Sequence, residues 1–292
     1  MKRTILFLTV LAVAVVASAQ LLWKVEGNGA AHPSYVLGTH HLAPPELLDS
    51  ISGLNDALNA SKHFYGELDM KNVNPLTLQN QALQKIGMPA DTTWQQILPA
   101  DAIAKIDSFF VAQGVPAAQV AQLHSLKPAF IGTQIPLILT IKNLKGFDPQ
   151  RQFDNEVHKK AMQRGMTSAG FETNEFQINM LYGAPLQVQA EELVENLNND
   201  SIVADVKTMT DLYVAQDFDG IGRFIERNRE SPVARRAAER LVYARNEDWA
   251  EKLKTILPEG EVFIAVGAGH LPGERGLLNL LRRQGYTVTP VK

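Results

Sequence analysis

The order of apolar patterns along this chain predicts an α/β fold: a mixed central sheet surrounded by helices, with an inserted helical cap. Three observations lead there. Strand-like runs ending in glycine and a polar group stand near both ends, Tyr35-Val36-Leu37-Gly38-Thr39-His40-His41 and Phe263-Ile264-Ala265-Val266-Gly267-Ala268-Gly269-His270. A third such run, His63-Phe64-Tyr65-Gly66-Glu67-Leu68, lies between them, separated by segments with helical apolar spacing. From about residue 75 to 145 helical spacing continues, broken by Gly and Pro, and no strand pattern intervenes, so this stretch reads as an insertion or cap.

Element by element, Trp23–Glu26, the turn Gly27-Asn28-Gly29 and Ser34–Gly38 read as an edge strand, a turn and a second strand, a starting hairpin. Pro44-Pro45 opens a helix through about Leu58, since proline is tolerated in a first turn and Leu47, Leu48, Ile51, Leu54 and Leu58 recur at helical spacing. The strand His63–Leu68 follows. Within the cap, Pro128–Leu144 is very apolar, but Lys127, Gln134, Pro136, Thr140 and Lys142 interrupt it, and it is shorter than a membrane span. Phe153–Arg164 reads as a helix closed by Gly165, and Met166–Glu172 as a strand that ends, like its predecessor, in a glutamate. Helical patterns run from about Asn174 to Thr255. The chain closes with the strand Val262–Val266, the second histidine motif, the helix Gly276–Gln284 and the strand Tyr286–Val291.

Lys2 and Arg3, the apolar run Ile5–Val16 and the small residues Ala17-Ser18-Ala19 match a secretory signal peptide cleaved before Gln20. The expectation is therefore a leader at 1–19 and one domain at 20–292, in a periplasmic or secreted setting, with no stable membrane span after cleavage. Removing Lys2 and Arg3 from the 28 basic residues leaves 26 against 31 acidic ones. No basic run offers itself to nucleic acid. The absence of cysteine excludes disulfides, a thiol nucleophile, thiolate zinc and iron–sulfur clusters. No Gly-x-Ser-x-Gly elbow, His-Glu-x-x-His helix or complete dinucleotide loop is present either.

What remains is a dispersed set. Each glycine lets the backbone turn where a strand ends and holds the following histidine at the carboxyl edge, where open α/β sheets bind ligands. His41, His270 and Glu67 at such an edge suit either a hydrolytic metal ion or a metal-free acid–base site. Adjacent residues on an extended chain point apart, which places His41 in the site and leaves the role of His40 open. Glu172 is a second candidate ligand or base. The structural alternatives are a hydrogen-bonded core histidine, a Glu67–Arg245 ion pair, and a core role for Trp249.

These pieces, together with Trp23, the segment from Phe153-Asp154 to Phe171-Glu172-Thr173, Arg245-Asn246-Glu247-Asp248-Trp249, Val266–Gly273 and the stretch from Gly276-Leu277-Leu278 to Gly285-Tyr286, resemble the TraB/PrgY/GumN family, which includes the Tiki metalloproteases and is more distantly similar to erythromycin esterase and haem-binding ChaN-type proteins. The resemblance implies that His41, His270 and Glu67 hold a divalent zinc, manganese or cobalt ion. It further implies that Arg245 and Asn246, with Glu67 and Glu172, assist hydrolysis of a peptide or protein substrate: Arg245 on an oxyanion or substrate carboxylate, Asn246 on water or carbonyl. Peptide or haem binding without turnover, and metal-free hydrolysis, are the alternatives that the resemblance carries.

Overall fold

The computed structural model describes residues 20–69, 71, 75–144, 147–148, 151–198 and 201–292; the leader expected at 1–19 lies outside them. The strand-like runs form β1 (Leu22–Gly27), β2 (Ser34–Thr39), β3 (His63–Leu68), β4 (Thr167–Glu172), β5 (Val262–Gly267) and β6 (Tyr286–Pro290). They make one mixed sheet in the order β4-β3-β5-β2-β1-β6. β4, β3, β5 and β2 run parallel, whereas β1 is antiparallel to both β2 and β6. β5, at the centre of the parallel part, is buried over five consecutive residues, as a strand covered on both faces must be.

Alternating side chains feed two cores. Leu37, Phe263 and Ala265 pack with Leu58, Phe153, Val157 and Tyr213 on one face. Val36, Ile264 and Val266 pack with Trp249, Leu253, Leu277 and Leu281 on the other. A third core, around Trp94, Ile106, Phe110 and Ile131, holds the helices that follow β3 together, and it takes in Ala190 and Leu193 from the helix Leu186–Leu197, beyond residue 145.

Two local expectations change. β1 is not an edge strand: β6 returns from the far end of the chain and pairs along it, Trp23 with Pro290 and Gly27 with Tyr286. The helix expected from Pro44 to Leu58 is two pieces, a 3-10 turn Pro45–Ser50 and a helix Leu54–Asn59, because Gly53 between them adopts a left-handed conformation (φ 71°) with Val291 pressed against it.

Candidate active site

Parallel strands share one carboxyl edge, so β2, β5, β3 and β4 deliver Thr39–His41, Gly267–His270, Glu67 and Glu172 to the same side of the sheet. The glycine of the first motif acts by leaving room, not by turning. Gly38 lies inside β2 with ordinary dihedrals, and a Cβ there would meet Leu271 Cδ1 at 2.8 Å and Ala268 Cα at 3.1 Å. The second motif thus lies directly on the first. His270 ends a short 3-10 turn, Ala268–His270.

At the centre lies Arg245, buried at the start of the helix Ala244–Ile256, just after a π-helical turn at Glu239–Tyr243. Its Nε donates to Glu172 Oε1 (2.7 Å), and Nη2 donates to Glu172 Oε2 (2.8 Å) and Glu67 Oε2 (2.6 Å). Nη1 donates to Leu241 O (2.9 Å) and to His270 Nε2 (3.1 Å). A guanidinium has five N–H groups, and all five have protein acceptors here. Its carbon also stands 4.7 Å from the centre of the Trp249 ring, whose Nε1 donates to Glu172 Oε1. Trp249 is core and site together.

Asn246 is equally committed. Its Nδ2 donates to His270 O (3.0 Å) and Arg275 O (2.8 Å), which leaves Oδ1 to accept from His270 Nδ1 (2.7 Å). This network assigns the proton of neutral His270 to Nδ1 and makes Nε2 the acceptor for Arg245. Burial lowers His270 to about 4, with Glu67 pulling the other way, so it is neutral at pH 7. Burial also opposes ionisation of Glu67, but the Arg245 guanidinium and the Gly267 N–H (2.9 Å) outweigh it and hold this carboxyl below its ordinary value. Gln177 Nε2 adds a bond to Glu172 (2.9 Å).

His41 is placed differently. It is exposed, and its Nδ1 meets Asp154 Oδ2 at 2.5 Å, while Thr39 donates to the other oxygen of the same carboxylate. The hydrogen bond to Asp154 raises the His41 pKa, with Glu67 adding to it, and Nε2 is left without a protein partner among the described residues. His40 turns to the helix Ile202–Val214, where Thr210 gives its own proton to Val206 O and therefore accepts from His40 Nε2 (3.1 Å). Burial, reinforced by the charge of His41, lowers His40 to about 4.

Asp154 and Gln177 were not among the sequence candidates. Asp154 lies 113 residues from His41; the sequence signals for it are its place in a helix's first turn after the buried Phe153 and, with Phe153, in a segment that carries the family resemblance, neither of which gives it a role. A groove of about 460 Å³ between Phe171, Phe176 and Ala244 reaches Glu172 and Arg245 from the side.

The divalent ion implied by the resemblance suits the residue types but not their arrangement. Both nitrogens of His270 are engaged, the arginine lies between the carboxylates, and no three His, Asp or Glu side chains among the described residues form a group able to hold a metal ion.

The sequence model of the TraB/PrgY/gumN family matches residues 21–290. Metalloprotease TIKI2 of Danio rerio is 22% identical over 313 aligned residues, covering 91% of this chain and 60% of that protein. A metalloprotease TIKI homolog of Amphimedon queenslandica is 21% identical with the same coverage. Metalloprotease TIKI1 of Homo sapiens is 43% identical over a shorter stretch of 51 residues, 16% of this chain. The chain spans about 60% of the length of the two relatives matched most fully. No solved structure gives a significant match.

Proposed function

This chain belongs to the TraB/PrgY/gumN family, and from that membership we propose that it is an exported hydrolase of peptide or protein substrates, working at the carboxyl edge of its sheet. The observation that carries this reading is the His41–Asp154 pair. One imidazole nitrogen is held by a carboxylate, the ring is exposed with no protein partner of Nε2 among the described residues, and the charge of Glu67 is close enough to raise its pKa. In this arrangement His41 Nε2 takes a proton from an attacking water, and Asp154 orients the ring and stabilises the imidazolium that forms. The name of the Tiki relatives supports peptide bonds as the target. No helix among the described residues is long and apolar enough to cross a membrane.

The finer form of the reading places zinc, manganese or cobalt on His41, Glu67 and His270. That set needs His270 Nε2 released from Arg245, so no step is routed through an ion here. Arg245 and Asn246 enter as positioning groups, since their donors are all satisfied within the protein.

The test is turnover of a fluorogenic peptide mixture by the chain beginning at Gln20, with His41→Ala and Glu67→Gln beside it and with and without chelator. Loss of a general base lowers the rate about 10²- to 10⁴-fold. Peptide affinity with a rate equal to the uncatalysed one in the parent would sink the hydrolase reading and leave a binding protein.

A further inference from the structure

We infer that Arg245 is the resident cation of the cluster formed by Glu67, Glu172 and His270, and that this chain therefore takes no divalent ion on His270. The inference rests on the reading of this edge as the hydrolytic site, and it concerns what neutralises that site.

Three facts meet on it. The guanidinium makes ion pairs with two carboxylates at once, at 2.6 Å to Glu67 and 2.7 Å to Glu172, with exposures of only 7% for Arg245 and 2% for Glu172. It also donates to the one His270 nitrogen that a metal would use. The other nitrogen is fixed as a donor by Asn246, whose orientation is itself locked by two backbone carbonyls. A planar five-donor fork matches two carboxylates and an imidazole in a way that a spherical ion does not, and the stack on Trp249 adds an attraction specific to the flat cation. A divalent ion on His270 Nε2 and Glu67 would have to displace the guanidinium from both. It would also leave the buried guanidinium with Glu172 as its one carboxylate and a second cation beside it, which is unfavourable unless new partners appear.

Two arms test this without reading turnover, so the proposal and the hydrolase reading fail independently. In the first, the parent chain is titrated with Zn²⁺, Mn²⁺ and Co²⁺ while the ring nitrogens of His270 are followed by NMR, and affinities are compared with those of His270→Gln. The expected result is an unmoved His270 signal and affinities that agree within about twofold. A stoichiometric ion whose affinity falls tenfold or more in His270→Gln would overturn the proposal.

In the second arm, Arg245→Met removes the charge and keeps the stem, and the folded variant is expected to gain one divalent ion. Adding Glu172→Gln should then cut that affinity at least tenfold. A folded Arg245→Met that gains no ion would show that the guanidinium does not occupy a cation position. Should that variant fail to fold, the first arm still decides.

Discussion

His41 has one nitrogen bound and, among the described residues, no protein partner on the other, and that asymmetry sets its pH behaviour. Because Asp154 raises its pKa, kcat/KM is expected to climb with pH as the ring loses its proton, and Asp154→Asn should move that limb to lower pH. An unmoved limb would separate Asp154 from the base. His40 and His270 act on stability instead. Both fall to about 4 in the folded chain, against about 6.5 when unfolded. The unfolded state therefore binds protons that the native state refuses, so stability is unaffected above about pH 6.5 and falls as pH drops toward 4, by about 2 kcal/mol per histidine at pH 5. His41 opposes this, since its raised value contributes below about 6.5 and is lost as pH rises through it. With two histidines against one, and Asp154 losing its advantage lower still, urea midpoints should fall from pH 7 to pH 5. A flat profile, or an NMR signal showing His270 protonated at pH 6, would contradict the burial argument. Much of this scale was legible beforehand, because Gly-x-x-His motifs and strand-terminal glutamates are local patterns. The pairing of Asp154 with His41 was not, because a side chain that meets its partner across 113 residues leaves no spacing to read.

Between elements, the contact of β2 with the turn after β5 depends on the absence of a side chain at Gly38. Gly38→Ala would drive a methyl group into Leu271 and Ala268, and overpacking of this kind costs about 1–3 kcal/mol. It should also disturb the His270 turn, so thermal unfolding should shift downward and the His270 ring signals should move. An unchanged melting temperature would mean that the two motifs are not in the contact described. Strand and helix periodicity made the elements themselves readable, including β4 ending at Glu172. It did not reveal that β6 crosses the molecule to cover β1, since pairing partners depend on tertiary placement. Nor did proline and leucine spacing show the break at Gly53, where packing against Val291 decides the path.

For the molecule as a whole, the strand order interleaves the two halves of the sequence: β4, β5 and β6 come from the second half, and β3, β2 and β1 from the first. Segments 20–144 and 151–292 expressed apart should each lack a continuous sheet, while co-expression should restore one folded species by size exclusion and circular dichroism. Independent folding of either segment would refute this. The antiparallel pairing of β1 with β2 and β6 carries one more implication. Leu22 lies level with Leu37, and Pro290 with Trp23, so the first strand begins, and the last one ends, on the side where His41 and Glu67 lie, one and two strand widths (about 5 and 10 Å) from β2. A surface or fusion partner attached through residue 20 or residue 292 is therefore held on the same edge of the sheet as the candidate site. Attachment through the Gly27-Asn28-Gly29 turn, at the opposite edge, points the site's edge outward.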